Sequence, residues 1–247
     1  MPTLKLVLEY DGARYHGWQR QPDRPTVQGA LEKAVSTVAQ APIPVTGAGR
    51  TDSGVHAEGQ TAHFKTESRL KPGEWMRALN SLLPEDIAVR SVENVSNKFH
   101  ARYSAKGKIY RYRIFNSRSP RPLGRHYRWT VFIPLNISTM RAAAKAFLGR
   151  HDFSSLQSAD PSREAARSAV CAIRRIALGR KGDELTITIE ADRFLKQMAR
   201  TLVGTLVEVG RGRRRPEEMK ALIRSRDRRR CGVTAPPQGL CLVKVKY

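Results

Sequence analysis

The chain has 247 residues, 40% of them hydrophobic, enough to bury a core in one large or two small domains, which excludes disorder of the whole chain. Its 45 lysines and arginines face 22 aspartates and glutamates, a formal net charge of +23. An excess of that size is the electrostatic footprint of phosphate binding, and it points to nucleic acid ahead of a membrane surface or a merely solvated exterior.

Leu4, Leu6, Leu8 and Tyr10 alternate with Lys5, Val7, Glu9 and Asp11, the period of a strand with one wetter face. After the turn-rich residues Asp11 to Pro25, Thr26 is placed to cap a helix in which Val27, Ala30, Leu31, Ala34, Val35 and Val38 recur at helical spacing. A short strand at Ile43–Thr46 leads into a glycine-punctuated loop. A strand follows at Gln60–Thr66, then a helix at Glu74–Leu83 that Pro84 ends, then a strand at Ile87–Val95. The second half repeats the idiom, with strands at Lys108–Phe115, Ala169–Leu178, Glu184–Glu190 and Leu240–Lys246 and helices at Ser138–Leu148, Phe194–Val209 and Pro216–Arg224. The mixture implies an α+β architecture of two domains, 1–104 and 105–247, built on largely antiparallel sheets covered by helices.

Two stretches stand out by charge, Asn116–Arg125 and Arg211–Arg230, the latter containing GRRR and RDRRR. Each alone would pass for a solvated loop. Together, in so basic a chain, they suit phosphate contacts, mobile until a partner neutralises them. Cys171, Cys231 and Cys241 are far apart and form no CxxC pair, so neither a disulfide framework nor a zinc ribbon is signalled and a reducing, cytoplasmic setting is expected. The opening MPTLKLVLEYDG has no signal-peptide pattern and no run of about eighteen apolar residues occurs, so neither export nor a membrane span is expected.

Chemistry concentrates in GAGRTDSGVHA, Gly47 to Ala57, where three glycines permit close backbone approaches around Arg50, Asp52 and His56. A carboxylate beside a fixed guanidinium keeps its charge, so Asp52 suits a nucleophile or base, with Arg50 holding it or a nearby phosphate. An aspartate that merely closes a glycine-rich turn explains the same local pattern equally well. A phosphate loop is excluded because no GxxxxGK is present, and a dinucleotide fingerprint matches poorly because Asp52 occupies the third glycine position. His56 and Glu58 spell half of a zinc deaminase signature, but the PCxxC half is missing, and His56 is expected to be a hydrogen-bonding loop residue.

Gly49 to Ala57, GRTDSGVHA, resembles the catalytic motif of TruA-type tRNA pseudouridine synthases. Tyr10–Pro22 (YDGARYHGWQRQP), Phe99–Arg102 (FHAR), Lys108–Ile114 (KIYRYRI), Phe194–Gly204 (FLKQMARTLVG) and Ala235–Leu242 (APPQGLCL) resemble that family's other segments in the same order. The resemblance implies a pseudouridine synthase fold of two similar domains with the active-site cleft between them, 1–104 carrying the aspartate loop. It implies Asp52 as the catalytic aspartate, Tyr110 as the aromatic against the target base, Arg200 as the basic partner of the aspartate and Arg50 as an RNA-positioning residue. Without it, Tyr110 reads as strand packing beside Tyr112, and Arg200 as a solvated helix position opposite Leu195, Met198, Leu202 and Leu206. Lys196, Gln197, Ala199 and Thr201 are less rich in His and Asn than the family's usual polar face. The implied reaction converts uridine to pseudouridine at positions 38, 39 and 40 of the tRNA anticodon arm, in a homodimer, with neither metal nor cofactor. The competing reading is a basic RNA-binding module, which accounts for the charge but not for six ordered motifs.

Overall fold

The computed structural model describes residues 1–158 and 168–247. They form a mixed α+β protein in two compact units, Met1–Lys106 with Cys241–Tyr247, and Gly107–Leu240.

In the first unit, β1 (Thr3–Tyr10) buries Leu4, Leu6, Leu8 and Tyr10, as its alternation requires. It lies between β3 (His56–Lys65) and β4 (Ile87–Val95), antiparallel to both, with Leu6 opposite Ala62 and Val92. The short β2 (Thr46–Gly47) pairs antiparallel with β3, and β10 (Leu240–Lys246) runs parallel to it, with Cys241 opposite His56 and Leu242 opposite Ala57. β3 is thus enclosed by neighbours, and it reads as an almost continuous buried run that includes the polar Gln60, Thr61 and His63. The helix α1 (Val27–Ala39) starts where Thr26 accepts the Gly29 N–H, a cap worth about 1 kcal/mol. The helix α2 (Pro72–Leu82) buries Trp75 and Leu79, and Asn80 on it bonds both the N–H and the C=O of Val89 in β4.

In the second unit, β5 (Gly107–Asn116), β9 (Glu184–Ala191), β8 (Val170–Lys181) and β7 (Gly149–Asp152) lie in that order, each antiparallel to the next, and β6 (Trp129–Val131) runs parallel to β5. The helix α3 (Ile137–Lys145) packs on α4 (Met198–Gly210), where a Cβ on Gly210 would meet Met140. The helix α5 (Glu218–Arg224) buries Met219, Leu222 and Ile223. No helix among the described residues is long and apolar enough to cross a membrane.

Three expected elements shift for physical reasons. The expected helix at Phe194–Val209 begins only at Met198, because Gln197 sits at φ 58 and the Lys196 carbonyl accepts Ser158 N–H. β3 starts at His56 rather than Gln60, drawn into pairing with β1 and β10. The strand expected at Ile43–Thr46 reduces to Thr46–Gly47, since Val45 bonds instead to Gln28 and Glu32 of α1.

In the second unit α4 and the strip Cys231–Ala235 approach closely, and a Cβ on Gly204 would stand 1.7 Å from the Val233 carbonyl oxygen. Gly204→Ala would gain about 1 kcal/mol of helix propensity in an open helix, yet overpacking here is expected to cost about 3 kcal/mol net. Urea denaturation checks this, with Gly179→Ala, where a Cβ meets nothing within 4 Å, expected to stay within about 0.5 kcal/mol of wild type.

Candidate active site

Asp52 lies, half-buried, on the connection from β2 to β3, and the turn there is closed by the main chain, Val55 N–H donating to Asp52 C=O at 3.2 Å. The base of the connection is fixed to β3, with Ala48 N–H donating to Thr61 C=O at 2.7 Å and the Gln60 amide donating to Gly49 C=O at 2.9 Å.

A second segment, Asp11 to Arg20, clamps the turn from the side. Trp18 N–H donates to Thr51 C=O, Gly54 N–H and the Ser53 hydroxyl both donate to Tyr15 C=O, and the Tyr10 and Thr51 hydroxyls meet at 2.9 Å. The approach leaves no room for side chains: a Cβ would stand 2.1 Å from the Val55 carbonyl at Gly12 and 2.5 Å from the Thr51 carbonyl at Gly17, which also holds φ 87. Trp18, fully enclosed, fills the space over Gly47, where a Cβ would strike its indole at 2.5 Å.

The clamp is anchored in turn. Tyr15 OH donates to Asp86 at 2.5 Å, Arg14 Nε donates to the same carboxylate at 2.8 Å, and Asp11 N–H donates to Asp86 C=O. Burial, with the Asp86 carboxylate adding to it, raises the Tyr15 hydroxyl well above its ordinary pKa, and burial does the same to Tyr10, so both remain protonated donors at neutral pH. From α1, Gln28 accepts Arg20 N–H while its amide reaches Val45 C=O, and Glu32 accepts Val45 N–H, so one helix face holds both approaches to the turn. His56 is buried at the start of β3, its Nδ1 3.1 Å from Gly12 N and 2.9 Å from Asp11 Oδ1, a bridge from strand to clamp. In the sequence this segment is marked as turn-rich and by its resemblance. Its structural part was signalled there by Gly12 and Gly17, spaced about aromatic residues.

Arg50 is exposed on the same connection, and its Nε donates to Gln19 of the clamp at 3.1 Å. Asp52 and Arg50 therefore share the first unit. Tyr110 and Arg200 belong to the second. Tyr110 is 7% exposed on β5, opposite Ile189, its ring edge-to-face with Phe194 at 4.8 Å. Two residues on, Tyr112 is fully buried and donates to Pro236 C=O at 2.7 Å, with Gly239 packed against its ring. Its hydroxyl is raised by burial, and the Arg200 charge works against that rise.

Arg200 does not sit on a solvated helix face. α4 is buried on nearly every side, because Cys231–Ala235 covers the flank that an amphipathic reading leaves to water. Arg200 is half-buried there, its Nε donating to Ala235 C=O at 2.7 Å and its own C=O accepting Ala235 N–H. The small residues Thr201, Gly204 and Thr205 admit the strip, and Thr205 accepts Gly232 N–H.

Of the two basic runs, Arg211–Arg230 is in part built into the fold, whereas Arg118, Arg121 and Arg125 of the other are exposed. Arg211–Arg230 contains α5, and its arginines engage acids and carbonyls: Arg214 with Glu208 at 2.5 Å, Arg226 with Asp152 at 3.0 Å, and Arg228 with Gly232 C=O and Thr234. Beside Asn116–Arg125, the buried Arg128 pairs with Glu184, donates to Arg121 C=O and Leu123 C=O, and lies over the Phe115 ring at 4.4 Å. Among the described residues, no three His, Cys, Asp or Glu side chains gather as metal ligands would.

Comparison with known proteins gives this arrangement its context. The family described as "tRNA pseudouridine synthase" matches residues 6–104 and 143–247. The tRNA pseudouridine synthase A of Myxococcus xanthus is 47% identical over 248 residues, covering 100% of this chain and 92% of its own. The protein of the same name from Acetivibrio thermocellus is 44% identical over 247 residues, and the tRNA pseudouridine synthase A 2 of Clostridium perfringens 42% over 247, each covering 100% of both chains. With its glycine-clamped aspartate turn and full-length relatives at this identity, the chain belongs to the TruA family of tRNA pseudouridine synthases, which are isomerases.

Proposed function

We propose that this chain isomerises uridine to pseudouridine at positions 38, 39 and 40 of the tRNA anticodon stem-loop, with Asp52 as the nucleophile. The observation that carries the reading is the clamped turn: Asp52 stands on a backbone held in place by bonds to Trp18, Tyr15 and Gln60. The reaction breaks the bond from ribose C1' to N1, turns the uracil and joins C1' to C5, while the C5 proton is lost and N1 gains one. No atom is gained or lost overall, so we assign the reaction neither cofactor nor metal. A carboxylate that forms and releases a covalent bond divides that exchange into two easier steps.

In this reading residues 1–104 act as the N-terminal domain that carries the nucleophile, and 105–247 as the C-terminal domain that supplies Tyr110 and Arg200. Arg200 is the basic partner of Asp52. Its bond to Ala235 fixes the direction of the guanidinium. Tyr110 packs its ring against the target base, and the edge-to-face contact with Phe194 supports that orientation. Arg50, exposed and steadied by Gln19, positions the RNA backbone. The enzyme works as a homodimer in the cytoplasm, where its substrate is. A stacked uridine must leave the helix at a cost of a few kcal/mol, which phosphate contacts from a chain of net charge +23 help to offset.

Incubation with unmodified tRNA followed by carbodiimide-dependent primer extension is expected to give new stops at positions 38 to 40 with the wild type and none with Asp52→Asn, whose tRNA affinity stays close to wild type. Binding without stops from the wild type would instead make the chain an RNA-binding module, and turnover by a clean Asn variant would remove Asp52 from the chemistry.

Affinity for tRNA is also expected to fall by about 1,000-fold between 50 and 200 mM salt, as release of ions from about six neutralised phosphates requires. A flat titration would show that phosphate contacts do not dominate.

A further inference from the structure

The turn between β4 and β5 is tied down at almost every residue. Phe99 N–H donates to Ser96 C=O, Ser104 N–H to His100 C=O, and His100 N–H to the Ser104 hydroxyl. His100 Nδ1 accepts both Arg102 N–H and Tyr103 N–H at 3.2 Å, and the buried His63 Nδ1 accepts Ala101 N–H at 3.2 Å. Tyr247 OH donates to Ala101 C=O from the other side at 2.8 Å. Burial and the neighbouring His100 hold the His63 imidazole below its ordinary pKa, which suits its role as acceptor.

Rings run through this turn from the interior outwards. Tyr247 meets Phe99 at 4.9 Å, Phe99 meets His63 edge-on at 5.9 Å, His63 meets His100 at 4.8 Å, and His100 lies 4.3 Å from Tyr103 with 33° between the planes. The last ring is left in water, since Tyr103 is 70% exposed. Around it, Lys98, Arg102 and Lys106 are exposed, and the Arg102 guanidinium lies 5.9 Å from the Tyr103 ring centroid. The sequence from Asn94 to His151 contains no aspartate or glutamate at all.

We propose that Tyr103 is a stacking platform for an unpaired nucleobase of the bound tRNA, apart from the target uridine, a proposal that rests on the tRNA reading above. A flat ring backed by a second ring at a set tilt offers a π-face without having to be ordered on binding, and surrounding cations track the flanking phosphates, which together recognise single-stranded nucleic acid. The same cations, in a stretch without acids, repel a second copy of this surface.

The test measures tRNA binding by full-length wild type and by Tyr103→Ala, Tyr103→Phe and Tyr103→Trp, with pseudouridine formation by the wild type assayed in the same preparation. Because the side chain is mostly in water, none of these changes removes packing on which the fold relies. Tyr103→Ala is expected to raise Kd about 5- to 100-fold with the salt dependence unchanged, while Phe and Trp stay within about twofold and the new indole is quenched by tRNA. Wild-type affinity in Tyr103→Ala, or a changed oligomeric state on sedimentation, overturns the stacking site. Isomerisation alongside an unaffected Tyr103→Ala removes this site alone. Tyr103-dependent binding without isomerisation keeps the site and removes the isomerase reading.

Discussion

The approach of Asp11–Arg20 to Thr51–Val55 is the constraint on which the rest of the first unit depends. Two backbones come so close that Gly12 and Gly17 admit no side chain, and the contact is made by carbonyls and N–H groups of both segments. Every such group removed from water needs a partner, so the segments must meet in one register or not at all. Around that register the other features fall into place: Trp18 under the loop, the Tyr15–Asp86–Arg14 anchor, His56 at the head of β3, and the face of α1 that carries Gln28 and Glu32. The proposed nucleophile needs a fixed position more than an unusual environment, and a backbone held this way restricts where Asp52 can stand.

The second unit solves a comparable problem with a different device. A helix buried on nearly all sides must have its flanks covered, and α4 accepts the strip Cys231–Ala235 through small residues and paired hydroxyls. The strip then holds Arg200 by its Nε, so the arginine is oriented by packing rather than waved through solvent. The arginine-rich runs are used likewise. Arg214, Arg226 and Arg228 of the second run, and Arg128 just beyond the first, are engaged within the protein, which leaves only a subset of the arginines available to an outside partner. Exposed pairs such as Arg229 with Asp227 order the surface while adding little to stability.

Much of this was legible in the residues. The alternation from Leu4 to Tyr10, the cap at Thr26 and the strand at Ile87–Val95 are local patterns, and each became the element expected. GRTDSGVHA marked the aspartate turn because its glycines and charged residues are adjacent in sequence. What escaped depends on distant partners. Nothing near Cys241 says that it runs beside His56, nor does anything near Phe194 say that its helix waits until Met198 because Ser158 N–H takes the Lys196 carbonyl. The short β6 and β7 carry too few residues for a period to show. Periodicity alone reads Arg200 as a solvated helix position, because it cannot see a covering strip more than thirty residues away.

The clamp is proposed to place Asp52 for chemistry, and Gly17 is where it can be disturbed without touching a polar side chain. The direct measurement is tritium release from tRNA labelled at uridine C5, by wild type and by Gly17→Ala, with tRNA affinity determined alongside. At φ 87 and 2.5 Å from the Thr51 carbonyl, an added Cβ must displace the aspartate turn. If the clamp does so, the wild type releases many equivalents of tritium per chain, and a folded Gly17→Ala that binds tRNA normally releases it about 100-fold more slowly. Release at the wild-type rate from that variant would contradict it.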